Sequence, residues 1–202
     1  VNNRLTLALI QELSDKIHAD NVLAGWWTDI KTGLSTLETR NRAELMLLVD
    51  SEVSEADHGL KENINDDKLP HLPMFNVELG DVAIRLFDMI GAENSLYGDQ
   101  VSIDVEALNA DMMALFAEKP VVTSDQWFLE IVNRMSKGME HIRKGRTVQH
   151  RQELISGLVT TFAIAESCGF DLFDVIEQKR AFNASRADHK IENRLKDDGK
   201  KF

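Results

Sequence analysis

The sequence predicts an all-α fold, an antiparallel helical bundle, on three observations. Only three prolines occur, Pro70, Pro73 and Pro120, and each falls between periodic segments rather than inside one. Apolar residues recur at helical spacing, as Leu5, Leu9, Leu13 and Ile17 do near the start. No segment sustains the two-residue alternation of a strand.

The elements follow in order. A first helix is expected over 3–20. The loop AGWWTDIKTGLST comes next, with Gly25 and Gly33 as breakers. A second helix runs from about Arg40 to Leu60, and the polar segment KENINDDKLPHLP ends it. A third begins near Pro73, where a first-turn proline is well tolerated, and is expected to stop near Gly91. Residues 101–118 give a fourth, closed by Lys119-Pro120. Thr123 or Ser124 is placed to cap a fifth over 125–144. A sixth spans 147–167 and stops at Gly169. A seventh runs from Asp171 to about Asn183, before a charged tail ending Gly199-Lys200-Lys201-Phe202.

Composition narrows the function. The chain has 202 residues, 43% hydrophobic and 28% charged, which suits one globular domain over 1–202. A net charge of −11 argues against a broad nucleic-acid surface, which needs a basic face, so no nucleic-acid polymer is expected as partner. Cys168 is the only cysteine, so no internal disulfide can form. No apolar run reaches membrane-spanning length and no signal-peptide pattern opens the chain. A cytoplasmic protein with no membrane partner is the expectation.

Two acidic pairs carry the chemistry. Glu52 and Glu55 lie in LVDSEVSEADHGL, and Glu78 and Asp81 in NVELGDVAIRLFD. A spacing of i, i+3 puts both members of a pair on one helical face. Leu48 and Val49 border the first pair; Val77, Ile84 and Phe87 border the second. Carboxylates turned toward a bundle interior are costly unless something positive meets them. Four hard oxygen donors from two helices suit Mg2+, with Mn2+ as second choice, and such a metal typically holds substrate phosphates. One such pair alone is more often a solvated helix face; two, joined by one loop, weigh more.

The pattern Glu52-Val-Ser-Glu55, a spacer, then Glu78-Leu-Gly-Asp81 resembles the all-α nucleoside triphosphate pyrophosphohydrolases. These include MazG-like and MazZ-like proteins, the dimeric dUTPases and the dCTP pyrophosphatases. Ser51-Glu52 stands where the family often doubles a glutamate. The resemblance implies cleavage of a (deoxy)nucleoside triphosphate between its α and β phosphates, giving the monophosphate and pyrophosphate for nucleotide-pool control. All four acids would hold metal, and Glu52 or Glu55 would orient or deprotonate the attacking water. It also implies a homodimer or larger assembly. The chain divides accordingly into a metal-site half, 1–98, and a second helical half with a basic substrate-binding tail, 99–202. The base is left open among dGTP, dUTP, dCTP and others.

Lys179, Asn183 and Arg186 form K-xxx-N-xx-R, followed by His189, Lys190 and the terminal lysines. This is similar to the element that the same family places near phosphates and sugar. The spacing i, i+4, i+7 predicts one helical stripe. Lys179, Arg186 and Lys190 would balance triphosphate charge, with Asn183 at the sugar. Trp26 and Trp27 cannot both bury on one stripe. Trp27 is a candidate stacking platform for the base; the alternative makes one tryptophan core and the other a helix-end cover. Asn21 reads more simply as a turn residue than as a base contact, and His58 as a surface histidine near Glu55.

The segment around Glu78 aligns with the one around Glu153, setting Phe87 on Phe162 and Asp81 on Ser156, while Met135 and Gly138 stand for Glu52 and Glu55. Either the second helical pair is a degenerate copy without ligands, or two amphipathic helices match by chance. The rival to the enzyme reading is a non-catalytic helical module that binds nucleotide or a partner.

Overall fold

The computed structural model describes residues 3–98 and 101–196. Its described residues form α-helices and short 3-10 turns, with no strand and only two isolated β-bridges. The all-α expectation holds at that level. None of these helices is long and apolar enough to cross a membrane.

Local chemistry sets most boundaries. Helix α1 (Leu7–Leu23) starts at Thr6, whose hydroxyl accepts from Leu9 N–H. Helix α2 (Arg42–Glu62) is capped by Asn41 and ends on Asn63 in the left-handed region, at φ 50°. Helix α3 (Met74–Tyr97) follows Pro73. Helix α4 (Val105–Glu118) is capped by Asp104, and α5 spans Gln126–Arg143. Helix α6 (Thr147–Cys168) ends on left-handed Gly169. Helix α7 (Leu172–Ser185) is capped by Asp171, and a short α8 (Ile191–Arg194) closes the described chain.

Helix α3 does not stop at Gly91; it continues to Tyr97. Gly91 is a contact residue, not a terminator. A Cβ there would lie 2.4 Å from the Ser14 carbonyl oxygen and 2.5 Å from His18 Cβ, so only glycine lets α1 approach this closely. Gly91→Ala gains helix propensity but must push α1 away through backbone that cannot yield. A net loss of about 2 kcal/mol is expected in urea unfolding; an unchanged midpoint would refute the tight contact.

Helix α3 is the axis of the fold. It packs on α1, α2, α6 and α7, which explains why Leu79, Val82, Ala83, Leu86 and Phe87 are all fully buried. The core is continuous across both halves of the chain. The boundary between those halves, at residues 99 and 100, lies outside the described residues.

Two antiparallel pairs, α2 with α3 and α5 with α6, sit so that α3 faces α6 and α2 faces α5. The helices related by the internal alignment are α2 with α5 and α3 with α6. Phe87 and Phe162, equivalent in that alignment, meet edge to face at 6.0 Å. In the second pair Arg134 holds Glu153 at 3.3 Å, and Met135 packs against Gly157.

Candidate functional site

Three of the four predicted carboxylates converge. Glu52 and Glu55 from α2 and Glu78 from α3 bring ligand oxygens within 4.8 Å of one another, the only such acidic or histidine cluster among the described residues. Their environments differ. Glu78 is 2% exposed, Glu52 is buried, and Glu55 is open to solvent. Glu78 forms no ion pair among the described residues. Burial first, then the charge of Asp81, pushes its pKa up to about 8.

Asp81 stands apart from this trio. Its Oδ2 lies 2.8 Å from Nζ of Lys179, which is itself 2% exposed. Burial raises Asp81 to about 6, with Lys179 pulling the other way. Gly80 makes the pairing reachable: a Cβ there would meet Val175 Cγ1 at 2.9 Å, so α7 lies close against α3.

These groups line a cleft of about 380 Å³ between α2, α3, α7 and the loop after α1. Its cations are Arg40, Lys68, Arg85, Lys179 and Arg186. Arg85 is the partner of Glu52, with Nη2 and Nε at 2.5 and 2.8 Å from Oε1. Lys68 comes from the α2–α3 loop, which Asp66 folds by accepting from the N–H groups of Lys68 and Leu69. A second cavity of about 530 Å³ adjoins the first and shares Asn21, Trp26, Asn183, Arg186 and His189 with it.

Of the two tryptophans, Trp27 is core and Trp26 lies nearer the surface, in line with the alternative and not with Trp27 as a stacking platform. Trp27 reaches the cleft wall but is 3% exposed, with its indole N–H donated to Asp88 at 2.9 Å. His18 approaches the same carboxylate at 2.7 Å. Trp27 therefore ties the loop to α3 and offers no open face for a base. Trp26, half-buried, separates the two cavities; His189 meets it edge-on at 5.1 Å and the Arg194 guanidinium lies 3.9 Å from its ring centroid.

The predicted basic stripe is broken. Lys179 and Asn183 lie on α7, but the helix ends at Ser185 and Arg186 is extended, with φ −71° and ψ 129°. Arg186 still lines both cavities. Lys190 is exposed and borders the outer cavity, away from the acids. Asn183 Oδ1 is buried without a hydrogen bond. Lys200 and Lys201, expected to add charge, lie outside the described residues.

Sequence reasoning missed Arg85, Lys68 and Arg194. For Arg85 a signal existed: it sits four residues after Asp81 and seven after Glu78, on the same helical face. Arg194 had none, being fully buried by a turn that returns to donate to the Gly25 carbonyl at 2.9 Å.

No protein family, curated protein or solved structure matches the chain.

Proposed function

We propose that the protein hydrolyses a (deoxy)nucleoside triphosphate to the monophosphate and pyrophosphate. The observation that carries this reading is the convergence of Glu52, Glu55 and Glu78 in a cleft that also carries Arg40, Lys68, Arg85, Lys179 and Arg186. The donor set fits a hard divalent cation. It is all carboxylate oxygen, with no imidazole or thiolate, and buried Glu78 forms no ion pair among the described residues. Mg2+ or Mn2+ held by Glu52, Glu55 and Glu78 would neutralise phosphate charge and acidify water.

The remaining groups have distinct tasks. Glu55 is the solvent-open carboxylate, suited to orient a water toward the α phosphorus and accept its proton. Lys68, from the α2–α3 loop, and Arg186, just after α7, bring positive charge to the phosphates. Lys179 holds Asp81 in place and keeps the inner wall neutral. The adjoining cavity gives room for sugar and base past Trp26, where the unpaired Asn183 Oδ1 is an acceptor for a sugar hydroxyl or a base N–H.

The test is pyrophosphate release from a panel of ribo- and deoxynucleoside triphosphates, with Mg2+ and with chelator. Wild type is expected to release pyrophosphate only with metal. Glu52→Gln is expected to lose at least about a hundredfold in rate with its helical circular dichroism intact. Release unaffected by chelator, or by this substitution, would sink the assignment. No release from any nucleotide would instead favour the non-catalytic binding module.

A further inference from the structure

We propose that Arg85 is a transferable counter-cation: it neutralises Glu52 while the acidic cluster lacks a divalent ion, and moves to the triphosphate when one binds. This inference rests on the pyrophosphohydrolase reading and assigns a residue that the acidic motifs do not include.

The geometry supports a hold that can be released. Both Nε and Nη2 converge on the single oxygen Oε1 of Glu52, rather than pairing fork to fork with both carboxylate oxygens. The Arg85 side chain is 36% exposed and borders the cleft, while that of Glu52 is 10% exposed. The carboxylate is therefore fixed and the guanidinium has room to swing. Lys179 is the contrast: its side chain is 2% exposed and locked on Asp81.

Charge supplies the reason to move. Glu52 belongs to the trio within 4.8 Å, so a cation bound there competes with Arg85 for the same carboxylate. Glu78, buried and without an ion pair, gives that cation an independent reason to bind. A displaced guanidinium beside a divalent ion needs an anion, and a triphosphate in the cleft provides one. Arg is suited to the new role because its fork takes two phosphate oxygens at once.

Calorimetric titration separates this from a static ion pair. The probes are Mn2+ alone, and inorganic tripolyphosphate in saturating Mn2+, which removes any dependence on the base. Arg85→Gln should bind Mn2+ about tenfold more tightly, because a competing positive charge is gone. It should bind tripolyphosphate about tenfold more weakly, because a charge-assisted fork is lost. Arg85→Lys should stay near wild type for Mn2+ yet weaken tripolyphosphate, since it keeps the charge and loses the fork. Opposite shifts in Arg85→Gln support the transfer. Unchanged tripolyphosphate affinity, or weakening of both ligands in variants that keep the wild-type melting temperature, overturns it. If Arg85→Gln does not fold, the Arg85→Lys pattern alone decides. A wild type that releases pyrophosphate while both variants bind as it does would sink this inference and leave the function standing; a wild type that binds neither probe would sink both.

Discussion

Glu78→Gln is expected to abolish metal-dependent hydrolysis and, at the same time, to make the metal-free protein more stable at pH 8. The two effects have one cause. An unfolded glutamate releases its proton near 4.5, whereas Glu78 in the fold keeps its proton to about 8. Between those values the native state binds a proton that the unfolded state has lost, so stability falls as pH rises through the window. Asp81, raised from 3.8 to about 6, adds to the decline at its lower end. The metal-free wild type should therefore melt at higher temperature at pH 5.5 than at pH 8. Glutamine keeps the shape without the charge and should recover on the order of 2 kcal/mol at pH 8. Mn2+ should raise the melting temperature of wild type at pH 8 and leave Glu78→Gln unmoved. Thermal melts at the two pH values, with metal and with chelator, check all of this. A variant less stable than wild type at pH 8 without metal would contradict the unpaired, buried state of Glu78.

Lys179→Met should be the most destabilising single change near the cleft. The substitution fits the space but leaves Asp81, whose side chain is only 18% exposed, without its 2.8 Å partner. Breaking one side of such a pair costs about 3 kcal/mol or more, because the surviving charge stays desolvated. The loss should shrink at pH 5, where a protonated Asp81 needs no counter-charge. Adding Asp81→Asn should restore most of the stability without restoring hydrolysis. Urea unfolding of the single and double variants measures the coupling. Additive losses would mean that the two side chains do not depend on each other, and Lys179 would then be available to phosphate as the sequence pattern suggested.

What was legible in the sequence was local. The spacing of apolar residues placed α2 within about two residues at each end, and Asp171 marked the start of α7, whereas α4 begins at Val105 and not at 101. The i, i+3 carboxylates were visible because helical geometry alone places them on one face. Partners decided the rest. Trp26 and Trp27 are adjacent, and nothing nearby says which one turns inward. Asp88 and His18 decide it, from α3 and α1. Gly91 looked like a stop because a glycine near a helix end usually is one; here it is the floor under α1. Four acids looked equivalent until Lys179 took one and Arg85 another. Arg186 looked helical by spacing, yet the helix ended one residue before it.

The order in which the cleft's parts occur along the chain gives it a history during synthesis. The carboxylates of α2 and α3 emerge early, whereas Lys179 on α7 and Arg186 just after it come late. A nascent chain that has formed its first three helices presents the acid trio with Arg40, Lys68 and Arg85 but without Lys179 and Arg186. Domains gain structure from the N-terminus as they are made. The acidic half of the cleft is thus formed before α7 arrives to cover it, and the cleft is completed last.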